Sequence, residues 1–320
     1  MSNVARLTDL QKLNLQESVY IEKDYERCAS ALTSSDIVEK LPKSNALGVI
    51  GIDGNEYPIP TQAQVTNLVQ ANAGLVARKR AQGFRRLELS PIAMSTHLLI
   101  ERMRAAIIKH SFDGRAFQTR QTSTDPKIPV RVNTEKQVWV WETLKEALDT
   151  ESLVYFPRRY SNEHGGRSKV EVIGNRSICA IPGWSVGLVE NQPFLPKPNE
   201  GKVIGDRRQL EVGLSPNEYL EIMRGSEYGF ETGLTLEDFI VRFVTRLEVS
   251  DEISNDIADD NALWCLAQYL RLPYAHAVPT GRWIRSVGRA RLDTHRSNNK
   301  LCTKSVGATT IVRLPGVSLS

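Results

Sequence analysis

The sequence predicts an α+β protein, with a mostly helical N-terminal part followed by a strand-bearing C-terminal part. Three observations lead there. Apolar residues recur at helical spacing through much of residues 7–107. A polar stretch punctuated by Pro, residues 111–133, then separates this texture from one of short aromatic and β-branched runs. Finally, Val306, Ala308, Thr310, Val312 and Leu314 alternate with Thr309, Ile311 and Arg313, the period of a half-buried strand. A length of 320 residues suggests about two domains. The linker places them at 1–120, mostly helical, and 134–320.

The elements follow in order. Leu7 to Leu41 reads as mostly helical, with Thr8 and Gln11 spaced as a capping box and Ile21, Tyr25, Cys28 and Leu32 on one face. A second short helix is expected from Ser35 or Asp36 to just before Pro42. Leu47 to Pro60 reads as a hairpin turning at Asp53-Gly54-Asn55. Thr61 caps a helix that ends near Gln82, before Gly83. Phe84 to Leu89 alternates as a strand. Ser90-Pro91 is expected to open a helix whose apolar face holds Leu99, Met103, Ala106 and Ile107.

Beyond the linker, Val138 to Trp141 and Leu153 to Phe156 read as strands, with a helical turn at Leu144 to Leu148 between them. Asn162 to Gly166 is a loop. Gly183 to Glu190 alternates, with Trp184, Val186 and Leu188 on one face. Pro193, Pro196 and Pro198 mark a long loop. Ser215 and Glu218 form a capping box around Pro216, and Thr235 to Asp238 starts a helix that buries Ile240, Phe243, Val244 and Leu247.

The segment Asn261 to Leu314 is distinct. It holds two of the five Trp, two of the four Cys and two of the five His. From Arg271 to Arg313 there are nine basic residues against one acid, Asp293, a net +8 in a chain whose total is +4. Its texture is that of a polar, irregular, arginine-rich loop region held between aromatics and closed by one strand. Such a surface on a rigid frame suits display.

Other chemistry finds little footing. There is no phosphate loop, HExxH, GxSxG or EF-hand loop. The acids Asp251, Glu252, Asp256, Asp259 and Asp260 lack calcium-loop spacing and read as a solvated face. Cys28, Cys179, Cys265 and Cys302 include no CxxC and read as buried thiols, with a Cys265–Cys302 bridge as the lesser reading. Cys265, His276, His295 and Cys302 do not have the spacing of a metal site, so neither metal nor cofactor is expected. No run reaches the roughly 18 apolar residues of a membrane span. The N-terminus has no signal-peptide core, which makes the cytoplasm the default location and leaves surface display open. Two basic patches with aromatics, Arg78 to Arg86 and the C-terminal set with Tyr274 and Trp283, suit phosphate contact and base stacking.

The C-terminal order is Ala262 to Tyr269, then Gly281-Arg282-Trp283, an arginine-rich run Arg289 to Asp293, the polar Ser297-Asn298-Asn299, and Gly307 to Arg313. This order resembles the end of formylglycine-generating-enzyme-like C-type lectin domains, and in particular the variable proteins of diversity-generating retroelements. The likeness covers about residues 260–314. It implies a C-type lectin-like C-terminal domain whose variable region, about 261–314, is rewritten by adenine-directed reverse transcription. Randomised AAC-type codons cannot give Trp or Lys, so Trp264, Trp283, Lys300 and Lys304 are expected as frame residues, and Gly307 is expected as scaffold too. The expected variable, ligand-binding positions are Leu263, Cys265, Tyr274, His276, Arg282, Ile284, Ser286, Thr294, His295, Asn298, Leu301, Thr303 and Ser305. The resemblance thus implies a non-catalytic binder of a macromolecule, a protein first, through a hypervariable surface. The alternatives are a nucleic-acid binder using the basic C-terminal face and a copper-dependent oxidase of the formylglycine-generating type. For the oxidase only Cys265 and Cys302 could serve, outside any matching motif.

Overall fold

A computed structural model describes residues 9–112, 118–119, 128–129, 131–190, 195–250, 262–272, 275–298 and 306–316. Helices and sheets both contribute extensively, so the class is α+β. Two sheets carry the architecture. In the first, four strands lie antiparallel in the order Glu231–Gly233, Thr310–Arg313, Ser185–Glu190, Phe84–Ser90. In the second, seven strands gather around the long strand Ala275–Ile284. The helix Leu236–Ser250 lies between them, and its Phe239, Ile240, Phe243, Val244 and Leu247 are all buried as the periodicity predicts.

The expected boundary near residues 111–133 does not separate two cores. Phe84–Ser90 belongs to the N-terminal third, yet it pairs along its length with Ser185–Glu190. A single hydrophobic cluster runs from Ile21 to Leu314. Helix Asp9–Ser34 closes the other edge of Phe84–Ser90. Its Cys28 Sγ donates to the Leu87 carbonyl at 3.1 Å, and the Leu87 N–H donates to Asp24 Oδ2 at 2.9 Å. A free strand edge is an aggregation template, and here side chains of the helix occupy it.

Three of the expected caps hold, while Thr8 of the expected Thr8–Gln11 box lies outside the described residues. Thr61 accepts from the Gln64 N–H while Gln64 accepts from the Thr61 N–H, opening Gln62–Ala71. Ser215 and Glu218 make the same reciprocal pair ahead of Pro216–Ile222. Thr235 and Asp238 do so ahead of Leu236–Ser250. Thr61→Ala is expected to lower stability by about 1 kcal/mol, read as a shift in the urea midpoint at unchanged slope.

Two expected helix starts are corrected. No helix follows Ser35: Asp36 takes φ 55°, and Glu39–Lys40 pairs with Leu47–Gly48, adding a third strand to the expected hairpin. The helix expected from Ser90-Pro91 begins instead at Thr96 and runs to Phe112. Residues 91–94 form a turn first. The cap comes from far away in sequence: Asp149 accepts from the Thr96 N–H at 2.9–3.0 Å and from Ser95 Oγ at 2.7 Å.

The largest correction concerns the C-terminal segment. What reads as irregular loop is a long antiparallel hairpin, Ala275–Ile284 with Arg289–Arg296, paired in register from Ala277↔Arg296 to Ile284↔Arg289. Gly288, at φ 63°, turns the corner. The opposite edge of Ala275–Ile284 is shared. Gln268–Leu272 covers residues 275–277, and Ala262–Trp264 covers 280–282. The expected closing strand is split into Val306–Gly307, in this sheet, and Thr310–Arg313, in the other.

Candidate ligand-binding face

Residue parity sorts the hairpin into two faces, because side chains alternate along a strand. One face meets helix Leu236–Ser250. There the Trp283 ring stacks on Phe243 with centroids 6.1 Å apart, and Leu292 and Ala290 are buried. Gly281 sits over Phe239 so closely that a Cβ would come within 2.3 Å of its ring. The other face carries His276, Val278, Thr280, Arg282 and Ile284. Across the ladder from the last four stand His295, Asp293, Arg291 and Arg289.

The middle of that second face is covered. Val278 and Thr280 are buried, and Val278 belongs to a second apolar cluster with Trp264, Tyr219, Leu210 and Ala308. The two ends stay open. At one end Arg282, Ile284, Arg289 and Arg291 are half-buried, and Ser286 is exposed in the turn. Arg291 lies 4.4 Å above the Trp139 ring and pairs with Asp293 through Nε at 2.9 Å. The Arg289 Nε is buried with no hydrogen-bond partner. At the other end are half-buried His276 and His295 and exposed Asn298. His276 meets the Tyr269 ring edge-on at 5.6 Å, and His295 meets Trp264 at 5.9 Å. Burial pushes the His295 pKa below its ordinary value. Asp293 opposes this, and Arg282 and Arg291 add to it.

The structure therefore brings Arg282, Ile284 and Ser286 together, and His276, His295 and Asn298 together. Eight residues of extended strand, about 26 Å, separate His276 from Ile284. Three expected positions are corrected. Leu263 and Cys265 are fully buried and present nothing to a ligand. Thr294 points to the helix side and is 8 % exposed. Tyr274, Leu301, Thr303 and Ser305 lie outside the described residues, as do Lys300, Cys302 and Lys304. Trp264 and Trp283 are buried, and a Cβ on Gly307 would come 2.8 Å from Leu195 Cδ1.

Sequence reasoning missed Trp139, Arg289 and Arg291 as members of the face. Recognising Arg285 to Gly288 as a hairpin turn would have found the two arginines, since parity then pairs them with Ile284 and Arg282. The cysteines offer no reactive thiolate among the described residues. Cys28, Cys179 and Cys265 are free and buried, and burial pushes Cys28 and Cys179 up to about 12 and Cys265 well above its ordinary value. Among the described residues no three His, Cys, Asp or Glu side chains converge as a metal site would need, and no helix is long and apolar enough to cross a membrane.

No protein-family model matches the chain, and neither a curated protein nor a solved structure matches it.

Proposed function

We propose that this chain is a non-catalytic binding protein that presents a diversified surface on its C-terminal hairpin, as the variable proteins of diversity-generating retroelements do on a C-type lectin-like fold. One observation carries the reading: framework and display are divided by residue parity. Trp283, Gly281 and Leu292 anchor the hairpin from below. On the other side, Arg282, Ile284, Arg289 and Arg291 are half-exposed, beside Ser286. The latter can change without disturbing the former. The partner is a macromolecule with an acidic surface, a protein first, because the face is broad and cationic and Arg is a favoured hot-spot residue.

The division makes a direct prediction. Ile284→Ser and Ser286→Asp are each expected to move stability by no more than about 0.5 kcal/mol, measured by urea denaturation. A loss several times larger at either position would mean the hairpin face is structural.

The deciding test of the reading uses the encoding DNA. A near-copy of the segment for residues 260–314, beside a reverse transcriptase gene and differing almost only at adenines, is the expected result. Absence of both overturns the diversified reading and leaves a fixed cationic face. Nucleic-acid binding by that face would show as a steep loss of affinity for arbitrary single-stranded DNA with added salt.

A further inference from the structure

Among the described residues six non-glycine residues adopt positive φ, and four of them are the Asp and Asn that tolerate it. The other two are Phe156, at φ 51°, and Phe230, at φ 69°. For a bulky side chain this conformation is strained, and strain of this kind persists only where the surroundings over-determine it. The surroundings of Phe156 do so. Its N–H donates to the Ala267 carbonyl at 2.6 Å, and its ring lies 4.9 Å from the Arg313 guanidinium, which is itself paired with Asp238. Phe230 has no such enclosure: it is 64 % exposed, the second-highest value among the large apolar side chains that stand in solvent.

A cavity lies beside Phe156. Phe230 directly precedes the strand Glu231–Gly233 that forms one wall. The cavity is about 390 Å³, within the range of small-molecule sites. Leu220 and Met223 supply further apolar lining, and Arg158, Arg159 and Arg224 stand around it, all exposed. Arg224 is paired with Glu221, and Arg159 reaches Glu163 at 3.6 Å. Arg158 makes no side-chain hydrogen bond or ion pair among the described residues. Glu231, the one acid that lines the cavity, spends its carboxylate on Lys79 and Arg207 and is not available to neutralise this rim. The cavity thus combines apolar side chains in a mixed lining with a guanidinium, Arg158, that has no carboxylate partner among the described residues.

We propose that this cavity is a binding site, separate from the hairpin face, for a small amphiphilic carboxylate: an apolar body against Phe156, Leu220 and Met223, with its carboxylate at Arg158, beside the Glu221-paired Arg224. The inference does not depend on the retroelement reading: Leu266 and Ala267 of the lining fall within 260–314, but neither is among the expected variable positions, and the residues assigned to the ligand lie outside that segment. Arg suits the head group because its planar fork can give a carboxylate two parallel hydrogen bonds.

The test is calorimetric titration of the full chain at low salt with 4-phenylbutyrate and, as the uncharged match, 4-phenyl-1-butanol. Saturable binding of the carboxylate roughly tenfold tighter than the alcohol is expected, about one charged contact's worth of discrimination. The paired variant Arg158→Ala with Arg224→Ala should bind both probes equally weakly. Both side chains are exposed, so the variant is expected to fold, which circular dichroism checks. Met223→Trp should fill the cavity and lower affinity for both probes at least tenfold. Failure of the wild-type chain to bind the carboxylate saturably in the millimolar range overturns the proposal. So does equal affinity for acid and alcohol, or undiminished carboxylate binding by the double-Arg variant.

Discussion

Glu231→Ala is expected to lower stability by about 3–5 kcal/mol, a large share of the roughly 5–15 kcal/mol that holds a typical domain. The Glu231 side chain is fully buried and is the hub of a closed charge cluster. Its carboxylate accepts from Lys79 Nζ at 2.7 Å, from Arg207 Nε and Nη2 at 2.8 Å, and from Thr310 Oγ1 at 2.6 Å. Removing it leaves Arg207 with Glu190 but strips Lys79 of its only carboxylate among the described residues. Burial already pushes the Lys79 pKa below its ordinary value, with Glu231 the main opposing influence. Without Glu231 the ammonium must lose its proton or draw in water. The double variant Glu231→Leu with Lys79→Met should therefore cost clearly less than the two single effects combined, since a matched apolar pair leaves no orphan charge. A double variant as damaged as the sum would show that the cluster acts through shape rather than charge.

The second large effect is a pH dependence with an unusual sign. Glu88 lies on Phe84–Ser90, 6 % exposed, and its Oε1 has no hydrogen-bond partner. Burial pushes its carboxyl from an ordinary 4.5 up to about 7. Asp238 on the facing helix adds to the rise, while Arg242 on that helix, Arg313 two strands away in the same sheet and Arg86 on its own strand oppose it. Between these two values the folded state holds more protons than the unfolded one. Stability is then complete below about pH 4.5 and falls as pH rises to 7. The difference amounts to roughly 3 kcal/mol. Glu88→Gln should abolish that fall, so that the variant gains on the wild type steadily between pH 5 and 8. Asp149 does not obscure this. Despite burial, Lys169 and the Thr96 and Ser95 donors hold its pKa at about 2, so the stability it supplies is lost only as pH drops from 3.8 toward 2. Parallel stability–pH curves for wild type and Glu88→Gln above pH 5 would sink the assignment.

Much of the local structure was legible because its causes are local. Thr61, Ser215 and Thr235 announce helix starts within four residues, and the alternation in Phe84–Leu89 and Ser185–Glu190 marks strands. What escaped is what depends on distant partners. The cap on Thr96 is supplied by Asp149, 53 residues away, so Ser90-Pro91 looked like the better start. The hairpin reads as loop from its polar, arginine-rich texture, and Pro279 and Gly281, inside its longest strand, each argue against a strand as well. The structure shows why both are tolerated. Pro279 stands between the parts of the edge covered by Gln268–Leu272 and Ala262–Trp264, and its carbonyl still accepts from the Cys265 N–H at 2.8 Å. Gly281 is needed for the close approach of Phe239. Codon arithmetic, for its part, contains no information about burial, which is how Leu263 and Cys265 entered the expected face.

Thr310–Arg313 lies between Ser185–Glu190 and Glu231–Gly233, so one of the inner strands of the four-stranded sheet is synthesised last. Until it leaves the ribosome, those two neighbours have no partner along that edge, and the sheet waits with a slot through its middle. The hairpin emerges just before it. Among the described strands, pairing of Thr310–Arg313 with both neighbours is therefore the last long-range contact of this sheet that the chain can complete.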